Sequence, residues 1–187
     1  MPKRLLKKLH ELAISRPETA VFFFDEGRFG LQSTVGRYWG QKGVRPVIAM
    51  QTGYKSFYMY SAVNPADGYD VSLFLPLVNT AMMNVFLEAM QDALGGRDCI
   101  LVLDQAGWHK SQALCVPENI ELVYLPAYSP ELNPVERLWR WLKRHSLRNQ
   151  FHLNLESAMA AVQKGYQQTT REFLMSLCRC QYLLHYQ

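Results

Sequence analysis

The chain has 187 residues, 49% hydrophobic and 19% charged, with a formal net charge of +4. That length suits one domain with a real core, and that composition excludes a disordered chain. No apolar run approaches membrane-spanning length and no signal-like apolar segment follows the basic N-terminus, so a soluble, cytoplasmic protein is expected. The charge is unevenly placed. Lys3, Arg4, Lys7, Lys8 and Arg16 face Glu11 alone near the N-terminus, and Arg137, Arg140, Lys143, Arg144 and Arg148 face Glu136 alone further on. Clustered cations suit a polyanion, although a cationic helix face is more often simply solvated.

In chain order, residues 1–18 read as a basic amphipathic helix or the tail of a linker, with Leu5, Leu9 and Leu12 on one side and Pro17 at its end. Residues 19–187 form the main domain. Ala20–Asp25 is a short continuous apolar run, as in a strand covered on both faces, and it closes on an aspartate. An acid there is costly unless paired or metal-bound, although Asp25-Glu26-Gly27 also reads as the start of a turn. If the strand continues, Glu26 points to the opposite face, which leaves Asp25 as the ligand. Arg37, Tyr38 and Trp39 either clamp a nucleic acid or pack on the outer sheet face. Pro46–Thr52 and Ser56–Val63 suggest a hairpin across Gly53-Tyr54-Lys55, and Tyr69–Leu75 an edge strand stopped by Pro76.

Asn79 caps a helix running to Leu94, its buried face predicted as Met82, Val85, Phe86, Ala89, Met90 and Ala93, with Gly95-Gly96 ending it. Cys99–Asp104 repeats the device of an apolar strand followed by aspartate. The helix before it favours a crossover and a parallel neighbour, which would bring Asp25 and Asp104 to one sheet edge, where open α/β sheets bind ligands. His109 and Lys110 follow in a loop, and His109 has two readings: a contact to phosphate, or a group behind the carboxylates. Ile120–Leu125 is a third apolar run. It feeds a Pro-rich turn and a helix through Arg148, in which Asn133 is the expected N-cap, Pro134 the first residue, and Val135, Leu138, Trp139 and Leu142 the apolar stripe. Glu136 falls three residues after Asn133, where a capping box would use it merely to close its own helix. Asn154 and Thr169 cap two further helices. Cys99, Cys115, Cys178 and Cys180 are expected as free, buried thiols, the last pair on different sides of a helix and so no zinc site.

Three carboxylates drawn from two strand ends and a helix start make a site for hard divalent cations. Magnesium takes few protein oxygens and fills its remaining positions with water and phosphate. Two such ions about 4 Å apart can activate the attacking oxygen and stabilise the leaving one at a phosphodiester. A helix N-terminus favours the ionised form of Glu136, as ligation requires.

The order of Asp25, then Asp104-Gln-Ala-Gly-Trp-His109, then Ser129-Pro-Glu-Leu-Asn-Pro-Val-Glu136-Arg-Leu-Trp139 resembles the DDE transposases, and more narrowly their mariner-like IS-six-thirty group. The resemblance covers residues 20 to about 150. It implies an α/β, ribonuclease-H-like fold with a mixed five-stranded sheet, antiparallel in its first three strands and then parallel, flanked by helices. It implies Asp25, Asp104 and Glu136 as the metal triad with Mg²⁺ or Mn²⁺, two ions in all. It also implies hydrolysis at transposon ends and transfer of a 3′ hydroxyl into target DNA. The partners would be double-stranded DNA and a second copy of the chain, with His109, Lys110, Arg37, Arg137, Arg140, Lys143, Arg144 and Arg148 as DNA contacts. Alternatives are another nuclease on the same fold, a ribonuclease H or junction resolvase, and a DNA-binding remnant without turnover. Two features depart from the group: a shorter interval between Asp104 and Glu136, and glutamine after Asp104 where asparagine is common. N-terminal helix-turn-helix modules, usual in the group, have no counterpart in this sequence.

Overall fold

A computed structural model describes residues 2–32, 35–37, 39, 41–43, 47, 49 and 53–180. The elements are α1 (Pro2–Ser15), β1 (Ala20–Gly30), β2 (Ser56–Val63), β3 (Asp70–Leu75), α2 (Thr80–Leu94), β4 (Cys99–Leu103), β5 (Ile120–Tyr124), α3 (Val135–Leu142), α4 (Leu155–Tyr166) and α5 (Arg171–Leu177). The strands form one mixed sheet in the order β3-β2-β1-β4-β5. The β3, β2 and β1 strands are antiparallel, while β1, β4 and β5 run parallel. This is the ribonuclease-H-like arrangement expected.

Two apolar layers cover the sheet because β1 is hydrophobic on both faces. Phe22 and Phe24 pack with Met83, Phe86, Leu87 and Met90 of α2. Phe23 and Phe29 pack with Val135, Leu138, Trp139 and Leu142 of α3 and with residues of α4 and α5. The period-two alternation of a strand sorts odd and even residues to opposite layers.

Several expectations need correction. The β1 strand does not stop at Asp25. It runs on to Gly30 because β2 continues to supply partners, with Asp25 opposite Ser61 and Gly30 opposite Ser56. The paired strand expected at Pro46–Thr52 lies largely outside the described residues; the observed neighbours of β2 are β1 and β3. The α2 helix is capped by Asn79 and ends in left-handed Gly95 as expected, but its buried face is Met83, Phe86, Leu87, Met90 and Leu94. Val85 is instead 43% exposed. Leucines at 87 and 94 draw the stripe round toward themselves, since they bury more apolar area than alanines at 89 and 93. The α3 helix ends at Leu142, and Lys143–Leu147 continues as a wider π turn closed by Arg148 N–H on the Lys143 carbonyl. The last helix is capped by Thr170 rather than Thr169. It stops at Leu177, so Cys178 and Cys180 both enter one core instead of diverging, while Cys115 is exposed. Leu9 of α1 is buried in the α3-side core, and Lys8 and Arg16 reach Glu121 of β5 at 3.9 and 3.1 Å. No described helix is long and apolar enough to cross a membrane.

Candidate active site

The parallel register of β1 and β4 pairs Phe23 with Val102. Counting two residues on along each strand brings Asp25 and Asp104 level, on the face that carries Phe23 and Val102. There the two strands part. The β4 strand ends at Leu103, while β1 continues against β2. Asp25 therefore stands within a strand at the point where its parallel neighbour stops.

Glu136 arrives from the other direction, and Asn133 fixes where. Buried Asn133 donates its side-chain N–H to the Phe24 carbonyl at 2.8 Å and accepts from Val135 N–H at 3.2 Å. One side chain thus ties the start of α3 to the strand residue beside Asp25. The capping box does not form. The Asn133 N–H is already given to the Pro130 carbonyl at 2.9 Å, and the helix begins one residue later, at Val135. Glu136 is left free of that duty. Asp25, Asp104 and Glu136 line one cleft of about 480 Å³, completed by Gln105, Ala106, residues 125–130 and Asn133.

Each aspartate has one oxygen tied back. Trp139 of α3 donates its indole N–H to Asp25 Oδ2 at 2.7 Å. The indole comes this close because position 27 is glycine: a Cβ there would sit 2.6 Å from the Trp139 ring. Asp104 Oδ1 accepts from Ala106 N–H at 3.0 Å and faces His109 Nδ1 at 2.8 Å. His109 is only 1% exposed, and its other nitrogen, Nε2, lies 2.9 Å from Glu26 Oε1, which also accepts from the Trp108 indole at 3.0 Å. Two carboxylates flank one imidazole, so both ring nitrogens carry protons when it is charged.

The electrostatics follow. Burial pushes the Asp25 carboxyl up to about 7, and the nearby charge of Glu136 adds to the rise, against the Trp139 hydrogen bond that lowers it. The His109 hydrogen bond holds Asp104 below its ordinary value. Burial alone would depress His109, but its bonds to Asp104 and Glu26 and their charges outweigh it and raise the imidazole to about 9. The cleft holds more negative charge than it neutralises. Among the described residues no three acidic, His or Cys side chains are drawn together closely enough to form a finished metal cage. The all-oxygen donor set of the three carboxylates is the chemistry that suits a hard cation.

Other predicted residues are scattered. Lys110 reaches Gln105 Oε1 at 2.6 Å and lies over the Tyr124 ring. Arg137 donates to the carbonyls of Leu177 and Arg179 at 3.2 and 2.7 Å, joining α3 to the end of α5. Arg37, Arg144 and Arg148 line a separate cleft with Trp39. Arg140 is exposed, and Lys143 lies over the Phe29 ring. The buried position of His109 keeps it out of reach of a backbone phosphate and places it behind the carboxylates. Tyr38 lies outside the described residues, and Trp39 is fully exposed rather than packed on the sheet. Glu26 faces away from Asp25, so it does not stand out among the candidate ligands along the sequence. An acid turned into an apolar layer needs a partner, and that was the available signal.

A family model for DDE superfamily endonucleases matches residues 20–158, a span that holds all three carboxylates. The chain belongs to the DDE superfamily of endonucleases. It is 43% identical over 93 residues to an uncharacterised protein of Sinorhizobium fredii, a match covering 49% of this chain and 69% of that one. It is 26% identical over 148 residues to the insertion element IS630 39 kDa protein of Shigella sonnei, covering 76% of this chain and 42% of that one. Among solved structures, the Mos1 mariner paired-end complex with Mg superposes with a TM-score of 0.72 at 18% identity, over 98% of this chain and 58% of that one. The Mos1 paired-end complex with Mn gives 0.69 at the same identity, with 98% and 59% covered. This DDE-superfamily chain is thus similar in sequence to an IS630 protein and in fold to Mos1, while spanning about two fifths of the insertion-element relative and under three fifths of the Mos1 chains.

Proposed function

We propose that this chain is the catalytic domain of a transposase, cutting DNA phosphodiesters at the ends of an insertion element and joining the 3′ hydroxyl to target DNA. The observation that carries this reading is the convergence of Asp25, Asp104 and Glu136 on one cleft from β1, the end of β4 and the start of α3. These three would hold Mg²⁺ or Mn²⁺, two ions by the needs of in-line displacement, which when bound supply nucleophile activation and charge stabilisation at the leaving oxygen.

The chain's own residues do the rest. Trp139 and Asn133 set Asp25 and Glu136 against each other. His109, held from behind by Glu26, turns Asp104 so that Oδ1 is occupied and Oδ2 is left for the cleft. Burial and the nearby charge of Glu136 raise the Asp25 carboxyl, so a bound cation would favour its ionised form. Arg37, Lys110, Arg140, Lys143 and Arg144 supply charge for the DNA backbone; Arg137 and Arg148 are partly spent on protein carbonyls. Recognition of two element ends makes a dimer on DNA the working assembly.

The test is nicking of a DNA duplex carrying the element's terminal sequence in Mn²⁺, with hybrid and junction substrates alongside. Asp25→Asn, Asp104→Asn and Glu136→Gln should each abolish product while the folded signal persists. Full nicking by all three variants would overturn the assignment, and preference for the hybrid or junction would move it to another nuclease.

A further inference from the structure

Beyond the C-terminal end of α3, the helix that carries Glu136, a second cleft of about 700 Å³ is lined by Arg37, Trp39, Arg144, His145, Arg148 and Asn149. Among the described residues it holds three arginines and no acid. Among the described residues neither Arg37 nor Arg144 has an ion-pair partner. The Trp39 side chain is 101% exposed, an unusual position for the largest apolar ring in the chain. The described residues just before it, Gly36 and Arg37, are tied to the end of the π turn. Asn149, in the left-handed region at φ 57°, donates to the Gly36 carbonyl at 3.1 Å and accepts the Gly36 N–H at 2.9 Å. Arg148 donates to the Arg37 carbonyl at 2.7 Å, and a Cβ at position 36 would overlap its guanidinium, only 1.5 Å from Nε. The π turn of Lys143–Leu147 places these residues, because its extra residue per turn redirects Arg148 and Asn149 toward residues 36 and 37. Three hydrogen bonds therefore anchor the segment leading to an exposed indole beside uncompensated cations.

An aromatic platform next to guanidinium groups is the chemistry that takes unstacked nucleotides: the base lies on the ring and its phosphates meet the arginines. Intact duplex offers the arginines phosphate but offers the indole no free base face. We propose that this cleft binds unpaired nucleotides of the DNA substrate, with Trp39 as the stacking platform and Arg144 as the phosphate contact. Arg144 lies two turns beyond Glu136, about 12 Å along a helix, so the strand held here is the one leading to or from the carboxylates. The assignment rests on the nuclease reading for its substrate but not on the triad for its binding.

The test uses the whole chain in EDTA, so that no cleavage occurs, with a short DNA duplex bearing a few unpaired nucleotides at one 3′ end and the same duplex blunt. Wild type should prefer the tailed duplex, with quenching of indole fluorescence. Trp39→Ala should lose that preference by roughly tenfold while binding blunt duplex as before. Trp39→Phe should retain most of it, and Arg144→Ala should reduce the salt slope by about one phosphate contact. Trp39 touches no core, so the variant should fold, and an unchanged melting curve checks that. Equal affinity of Trp39→Ala and wild type for the tailed duplex, or equal losses on tailed and blunt, overturns the cleft assignment alone. Wild type that binds neither DNA overturns the nuclease reading with it.

Discussion

Asp25→Asn should make the metal-free protein more stable while abolishing nicking. In the folded state the Asp25 carboxyl is held at about 7 against an ordinary 3.8. Burial and the Glu136 charge both favour the protonated form. A carboxyl raised in this way contributes stability that is fully present below about pH 3.8 and is lost as pH rises through about 7. Three pKa units correspond to about 4 kcal/mol of ionisation cost at high pH, and dielectric relaxation around the carboxyl reduces the realised part to about 1–2 kcal/mol. Asparagine removes the charge and keeps an oxygen for the Trp139 indole. Urea denaturation in EDTA at pH 8.5 should therefore give Asp25→Asn a higher midpoint, with the gain shrinking toward pH 5. Adding Mn²⁺ should stabilise wild type through binding to the folded state and leave the variant nearly unmoved. A variant less stable than wild type at pH 8.5 in EDTA would refute the claim that the site stores repulsion for a cation to relieve.

Two further expectations rest on the residues around the triad. His109→Ala leaves Glu26, with a side chain 7% exposed, without its charged partner. Breaking a buried pair costs roughly 3–5 kcal/mol, so the melting temperature should fall sharply, and Mn²⁺ affinity measured by calorimetry should weaken as Asp104 loses its orientation. The His109 pKa is raised from 6.5 to about 9, so the pair's contribution is complete below pH 6.5 and fades as pH climbs through about 9; a variant–wild-type difference that stays constant across that window would contradict it. Gly27→Ala drives a methyl into the Trp139 ring, displacing the indole from Asp25 and destabilising the fold by about 1–3 kcal/mol. Its tryptophan fluorescence should change with the loss of nicking, and an active, wild-type-like Gly27→Ala would exclude the close approach.

Much of this protein was readable in one dimension because its signals are local. The apolar runs at Phe22–Phe24 and Cys99–Leu103, the Asn79 cap with its Gly95 stop, and the stripe Val135, Leu138, Trp139, Leu142 each report a backbone preference or a buried face within a few residues. Asp25 and Asp104 could be chosen because acids at the ends of apolar strands are expensive without a purpose, and Glu136 only in their company, since a capping box would explain it locally. Only the tertiary structure decided what those acids lean on. Glu26 and His109 are separated by most of the sheet in sequence, and nothing in either segment announces a pair that forms only when β1 lies against the loop after β4. Asn133 looked like a local cap, yet its side chain reaches a carbonyl of a distant strand and its backbone N–H is given to Pro130, which is why Glu136 is left for the cleft. Likewise Gly27 reads as a turn residue and proves to be the space for an indole, and Arg37 and Arg148 meet only across the π turn. Periodicity and capping are properties of neighbouring residues and survive in the sequence; hydrogen bonds and close approaches between remote segments depend on chain closure, and they exist only once the sheet has assembled.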